Sequence, residues 1–416
     1  MKLVSRSVHW PVLVAGCALI TANVSAEEPF SDTLMGTLAG DSGGARTSLL
    51  ERGVLAEAAN TTDFFASVDG GASDDSTVSN LFELAVTADM GAVAGLRGGT
   101  LFFLGLGTHG DDPGASSGTV HAPSNLAADD AWRVLEFWYE QSLLADRAGL
   151  LFGFYAVDSE FDAKETAGVF LNGGFGTGLE LSETGLNGPS IFAVTGLALR
   201  GRLQVTPEFG LRAAVVEGAP GDLDDATASL QWDFDDDEGV FMIVEADWQP
   251  GGFEFLRVGL GGWRYTTDFE RLDGGGIDDG SAGIYGFVEG VIFSEAGSDD
   301  QGLSGFLRLG RADETVNRFG DYQAAGLVYT GLLPGRDEDV LGLGISSVDN
   351  GDDFVDSVRA EGGLIDRRET VVELTYHARV LPWLSVQPSV QYTMDPDTDP
   401  ALDDHLAVAI RLGVTL

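Results

Sequence analysis

The sequence predicts an all-β chain closed into a transmembrane, antiparallel, up-and-down β-barrel of about 16 strands, with a short N-terminal helix. Three observations carry this expectation. Apolar and polar residues alternate with a period of two along almost the whole chain beyond residue 53. After the first 26 residues no run of 18 apolar residues occurs, so helical membrane spans are not expected. The alternating segments are each about ten residues long, which is what a tilted strand needs to cross a bilayer.

Residues 1–26 have the character of an export signal. Lys2 and Arg6 give a positive start, residues 10–20 are apolar, and Val24-Ser25-Ala26 supplies small residues for cleavage. Val14-Ala15-Gly16-Cys17 also resembles a lipobox, which leaves a lipidated Cys17 as the alternative. Either reading takes the protein out of the cytosol. Residues 27–53 form an N-terminal segment in which 45–52 can make two helical turns, stopped by Gly53 at the C′ position. Its place is the periplasmic mouth or the lumen.

Residues 54–416 form the barrel domain. Alternation is clearest at the end, where Leu406, Val408, Ile410, Leu412, Val414 and Leu416 share one face and Ala407, Ala409, Arg411, Gly413 and Thr415 the other. The two preceding segments repeat the pattern: Leu384, Val386, Val390 and Tyr392 oppose Ser385, Gln387, Ser389 and Gln391, and Thr370, Val372, Leu374 and Tyr376 oppose Glu369, Val371, Glu373 and Thr375. Thirteen further candidates lie near 54–68, 78–90, 99–108, 132–143, 148–156, 191–204, 209–216, 239–248, 253–265, 284–293, 303–311, 323–332 and 339–347. Tracts rich in Asp, Gly and Ser, such as 233–239, 273–283 and 349–356, read as solvated loops. A soluble sheet would also alternate, but here the polar face carries isolated Arg and Glu among small residues and the apolar face is rich in aromatics. That arrangement suits lipid outside, water inside and closure of every backbone group.

Composition excludes several functions. A formal net charge of −43 repels a nucleic-acid backbone. With one Cys in 416 residues there is neither an intramolecular disulfide nor a cysteine-built zinc site. Gly40-Asp41-Ser42-Gly43-Gly44 matches a serine-protease nucleophile motif, but none of the five histidines stands in a setting that would supply its base. Gly105-Leu106-Gly107-Thr108-His109-Gly110 fits a dinucleotide motif but opens into Asp111-Asp112-Pro113-Gly114 rather than a helix, so it reads as a turn. The 233–239 cluster resembles a calcium loop whose Gly falls one place late and whose bidentate Glu is missing. The expectation is no cofactor, no metal site and no enzyme.

Several stretches carry a resemblance. Gly326-Leu327-Val328-Tyr329-Thr330-Gly331-Leu332-Leu333-Pro334-Gly335-Arg336, continuing to Gly344, is similar to a signature of the carbohydrate-selective porins (OprB family). So are Glu369-Thr370-Val371-Val372-Glu373-Leu374, Pro382-Trp383-Leu384-Ser385-Val386-Gln387, Trp138-Tyr139-Glu140-Gln141, Phe170-Leu171-Asn172-Gly173-Gly174 and Gly218-Ala219-Pro220-Gly221-Asp222. The resemblance spans about residues 40–416. It departs at Ser42, where the family has Trp, and at Leu416, where outer-membrane strands end in an aromatic. It implies a 16-stranded outer-membrane barrel that passes glucose and similar sugars by diffusion, without cofactor or catalysis.

Placing the aliphatic face of each strand towards lipid puts a mixed set of side chains in the lumen. They are Glu136, Trp138, Glu140, Arg200, Arg202, Arg212, Glu245, Arg257, Trp263, Glu289, Arg308, Glu373 and Arg379, with Gln204 and His377 in the same parity. Arg and Glu can hydrogen-bond sugar hydroxyls while aromatic faces cover the apolar side of the ring, and a channel needs such contacts to be weak. The same residues could instead pair across the lumen to hold the wall. The rival functions are a general cation-preferring diffusion porin and an enzyme embedded in a barrel. Expected partners are sugars as permeating solutes, outer-membrane lipid and the barrel-assembly machinery, with a homo-oligomer left open.

Overall fold

In a bilayer, period-two segments can satisfy their backbone groups only by pairing edge to edge until the last strand meets the first. The computed structural model describes residues 36–416 apart from 223–224, 226, 232–237, 253–254 and 299. The export signal, Cys17 and most of the acidic 233–239 cluster therefore lie outside the described residues. The first eight strands are β1 (Val54–Asp69), β2 (Ser76–Asp89), β3 (Gly99–Gly110), β4 (Ala131–Leu143), β5 (Ala148–Phe154), β6 (Leu197–Thr206), β7 (Phe209–Glu217) and β8 (Val240–Trp248). The next eight are β9 (Leu256–Glu270), β10 (Ile277–Ser294), β11 (Gly302–Ala312), β12 (Phe319–Thr330), β13 (Val340–Asn350), β14 (Arg368–Leu381), β15 (Leu384–Met394) and β16 (His405–Thr415). Each pairs antiparallel with its sequence neighbour, and β1 pairs with β16 to close the barrel.

The seam is reinforced at one end. The Leu416 N–H donates to Ala58 O at 2.8 Å. Arg46, on the short helix Ala45–Leu50, donates to Leu416 O at 3.2 Å, Thr37 Oγ1 at 2.7 Å and Ala56 O at 3.3 Å. The helix is two residues shorter than 45–52 and is followed by a turn at Gly53, whose φ of +82° only glycine adopts freely. It sits at the mouth beside β1 rather than in the lumen. Connections at this end are short (144–147, 207–208, 382–383), whereas the opposite end carries 111–130, 155–196, 218–239 and 351–367. Short turns of outer-membrane barrels face the periplasm.

Side-chain parity follows the alternation. Leu374, Val390, Val408 and Ile410 are exposed to the outside, while their neighbours Glu373, Ser389, Gln391, Ala407 and Ala409 are buried within. A register shift opposite Leu104 and Gly105 places Leu135 and Glu136 in succession on the inner side, which is the signature of a β-bulge. Boundaries differ from expectation at a few places. β6 begins at Leu197, and 191–196 belong to the connection before it. Gly105–Gly110 is not a turn but the end of β3, and the 273–283 and 349–356 tracts contribute to β10, β13 and a helix at Asp352–Ala360 rather than being loops throughout.

The larger departure is inside. Segments 111–130 and 155–196 do not extend over the mouth but pack into the barrel. Val157, Phe161 and Leu181 join inward-facing Leu81, Phe102, Leu104, Leu106, Phe241, Ile243 and Tyr285 in one apolar cluster. Phe170, Phe175 and Leu179 join Phe306, Tyr322 and Val348 in another. The wall is therefore apolar on both faces where these segments lie, because a segment with no lipid to meet still gains by removing its aromatics from water.

The parity can be tested on β14. Leu374 is 48 % exposed on the outside and pairs with Leu343 and Val390, whereas Glu373 is fully covered inside. Leu374→Arg should cost about 2–4 kcal/mol near the midplane and impair assembly, read as loss of heat-modifiable migration on a gel. Normal folding of that variant would mean that inside and outside are exchanged.

Candidate functional site: the occupied interior

An irregular segment inside a barrel brings backbone N–H groups that no ladder satisfies, and each must find an acceptor. Segment 155–196 consists of short 3₁₀ turns (Val157–Ser159, Thr166–Val169, Gly173–Phe175) and a helical turn at Leu179–Ser182. Its free N–H groups are taken by carboxylates projecting from the wall. Glu136 Oε1 accepts from Ala156 N at 3.0 Å, Glu245 Oε2 from Asp162 N at 2.7 Å and Glu289 Oε2 from Thr166 N at 2.8 Å. Glu373 accepts from Leu171 N and Asn172 N, both at 2.9 Å, and from Ser389 Oγ at 2.9 Å. These four glutamates were expected on an aqueous path. They are instead covered by the segment they hold, and Glu373 in particular has no open face.

The arginines complete the seat. Arg308 is fully buried and binds Asp162 at 2.8 Å and Glu180 at 2.6 Å, with its guanidinium 4.8 Å from the Tyr322 ring centroid. Lys164 adds a second cation at 2.9 Å from Asp162. Burial alone would raise the Asp162 pKa, but Arg308 and Lys164 outweigh it and hold this carboxyl below its usual value. Glu180, with Arg308 only, is raised by burial, and Asp158 is pushed up to about 6 by the same cause. Arg257 donates to Ala163 O at 2.7 Å and to Asp247 at 2.7 Å, and approaches Glu289 at 3.4 Å.

Towards the short-turn end the pairs open to water. Arg200 bridges Glu140 at 2.8 Å and Glu160 at 2.6 Å, Arg202 reaches Glu140 at 2.7 Å, and Arg212 binds Asp247 and Glu160 O. Exposure of these side chains rises from 1 % at Arg200 through 20 % at Arg212 to 36 % at Arg202. The structure thus gathers Glu140, Arg200, Arg202, Arg212, Glu245, Arg257 and Glu289 into one ladder of alternating charge, with Arg308 at its covered end.

Three expected residues lie elsewhere. Trp138 stacks on Phe102 (centroids 5.0 Å apart) and Trp263 meets Tyr265 edge-on at 6.0 Å, so both indoles are packed in the apolar cluster and neither presents a face to solute. Arg379 sits at the rim, bonded to Glu338 at 3.0 Å and to Pro382 O. Sequence reasoning missed the partners supplied by the inward segments: Glu160, Asp162, Lys164 and Glu180. It also missed a second seat, where Glu369 binds His121 Nδ1 at 2.6 Å and accepts from Val120 N and His121 N, and where Arg411 binds Asp63 at 2.7 Å and Asn125 at 2.8 Å. Arg411 and Glu369 had the inward parity and were legible from alternation, whereas their partners His121 and Asn125 on segment 111–130 were not.

Comparison with known proteins decides the family. Residues 73–416 match the family model described as carbohydrate-selective porin, OprB family. The chain belongs to the carbohydrate-selective porins. It is similar to Porin B of Pseudomonas aeruginosa, with 26% identity over 430 residues covering 93% of this chain and 92% of that one. The high-pH structure of OprB from Pseudomonas putida superposes with a TM-score of 0.82 at 22% identity, covering 92% of this chain and 98% of that one. The low-pH structure of the same protein gives 0.61 at 17% identity, with the same coverage. This carbohydrate-selective porin is accordingly an outer-membrane β-barrel channel through which sugars diffuse.

Arg308 is the most exacting member of the porin's interior. Arg308→Gln leaves Asp162 and Glu180 without their shared buried cation, a loss of about 3–5 kcal/mol for such a site. The barrel wall keeps its ladder, so heat-modifiable migration should persist while single-channel current becomes larger and noisier as segment 155–196 loosens. Unchanged current would show that Arg308 does not hold the segment.

Proposed function

We propose that sugars cross this porin along the open edge of the arginine–carboxylate ladder, with Arg202, Arg212, Glu140 and Glu160 as the solute-facing groups and segment 155–196 as the narrowing element. The observation that supports this is the exposure gradient from Arg308, fully covered, to Arg202, one-third open. Guanidiniums and carboxylates alternate along the edge, so their fields largely cancel over a solute's length and neutral hydroxylated molecules are preferred to ions. Donors and acceptors in fixed sequence exchange one hydroxyl contact for the next, which keeps each step shallow. No bond is made or broken, and the reading is of a passive channel. Glu136, Glu245, Glu289, Glu373 and Arg308 act one step back, by positioning the segment, and Trp138 and Trp263 by packing beneath it.

The chain's acidity belongs to a different place. A hollow of about 300 Å³ at the long-loop end is lined by Gly110, Asp112, Ala128, Asp129 and Asp130. Such exposed charge draws cations to the mouth only within roughly 8–10 Å at physiological salt. Export followed by insertion through the barrel-assembly machinery, residues 54–416 forming the porin domain after a leader at 1–26, completes the reading.

The test is liposome swelling with sugars and zwitterionic amino acids of equal size. Sugars should pass faster, and Arg202→Gln with Arg212→Gln should shrink that advantage by about tenfold or less, the factor that one weak charge-assisted contact supplies. Equal rates for both solutes in the wild-type porin would favour a general cation-preferring channel instead.

A further inference from the structure

Among the described strand arginines, those of β4, β6, β7 and β16 point inward, as do Arg257 and Arg308, and Arg379 lies at the rim; only Arg264, Arg311 and Arg368 face outward. All three lie on one side of the barrel, Arg311 and Arg368 at the long-loop ends of β11 and β14 and Arg264 midway along β9, one pleat repeat beyond the row of Arg311. Cross-strand register puts Arg311 opposite Asp321, Asp321 opposite Asp349 and Asp349 opposite Arg368, so the charges form a single row around the outside. One pleat repeat towards the short-turn end, roughly 7 Å along the strands, the row reads Leu260, Gly286, Leu309, Gln323, Ser347 and Thr370. The next is aliphatic throughout, with Val258, Val288, Leu307 and Ala325. Charge gives way to hydrocarbon within two rows, which marks the outer-leaflet boundary of the membrane on this face.

A groove of about 470 Å³ runs across these rows. Its floor is at Gly286, where an added Cβ would meet nothing closer than 3.5 Å, its walls are Leu260, Ile284 and Leu309, and its upper end is closed by Arg311, Asp321 and Arg368. Arg368 spends two donors on Asp349, one of them at 2.7 Å, and Arg311 spends one on Glu314 at 2.9 Å. Their side chains are still 51 % and 64 % exposed, so each keeps N–H groups for another anion. A guanidinium pair above an aliphatic groove matches an amphiphile with a phosphate head and acyl chains, because planar donors bind phosphate oxygens in a fork while the groove takes hydrocarbon.

We propose that this face is a binding site for a phosphorylated, multi-acyl lipid of the outer leaflet, its phosphate on Arg311 and Arg368 and one acyl chain in the groove over Gly286. Asp321 and Asp349 orient the two guanidiniums, and Gln323 is placed to bond a sugar or ester oxygen of the headgroup. The site is on the lipid-facing side of the wall and independent of the solute path.

The full-length porin, purified and stripped of lipid by detergent exchange, should be titrated with lipid A and separately with phosphatidylcholine, each with and without a chelator, and bound lipid counted by native mass spectrometry. Lipid A should bind more tightly than phosphatidylcholine. Arg311→Gln with Arg368→Gln should weaken lipid A by about tenfold or more, since each lost charge-assisted bond is worth roughly that factor. Gly286→Leu, which fills the groove and leaves the arginines in place, should weaken lipid A as well while migration on the gel stays that of the folded barrel. If the arginine variant fails to fold, Gly286→Leu decides. Equal binding of the two lipids, binding lost only because the chelator removes divalent cations, indifference to these substitutions, or a second barrel in place of lipid would each overturn the proposal.

Discussion

Buried carboxylates that accept backbone N–H groups are the interaction on which this interior depends. A closed ladder satisfies the wall, but segment 155–196 enters with its own amides, and low dielectric makes each unpaired one costly. Glu136, Glu245, Glu289 and Glu373 answer that need from β4, β8, β10 and β14. Carboxylates gathered in one enclosed space repel one another, and cations answer them: Arg257 lies against Glu245 and Glu289, while Arg308 and Lys164 offset the segment's own Asp162 and Glu180. Where cover ends, the ion pairs continue through Arg200, Glu140, Arg202 and Arg212 to side chains that are partly open. The proposed solute edge and the seat of the segment are therefore neighbouring parts of one charge ladder.

The apolar clusters set where that edge can run. Inward-facing Leu, Phe and Tyr on β2, β3, β8, β9 and β10 are paired with Val157, Phe161 and Leu181, so the space beside those strands is filled. Fluctuation of the segment would expose these aromatics to water as well as break ion pairs, and both costs favour a fixed bore over a swinging lid. Ion pairs give the register of the segment and apolar packing gives most of its attachment.

Alternation in the sequence was sufficient for the wall. Each of the 16 candidate segments corresponds to a strand, and Glu373 inside with Leu374 outside follows from parity alone. Parity tells which side of the wall a residue is on but not what lies against it, which is why Glu373 was read as facing water. A signal for the inward segment was present in the gap between 156 and 191, where Phe161, Phe170, Phe175, Leu179 and Leu181 follow no period of two and have no lipid to meet. A solvated loop would not carry so many aromatics. The pairing of Arg308 with Asp162 and Glu180 could not be read in advance, because nothing local links residues so far apart in the chain.

The most direct test of this account is to fix the segment where the structure places it. Asn172 donates to Gln391 Oε1 on β15 at 3.1 Å, and the chain has one native cysteine, Cys17, which can be replaced. With Asn172→Cys and Gln391→Cys joined by a short thiol cross-linker, single-channel conductance and sugar flux should match those of the uncrosslinked porin, because the conducting state already has the segment seated. A cross-link that forms and abolishes flux, or that fails to form in the folded barrel, would contradict the account and place the segment outside the lumen while sugars pass.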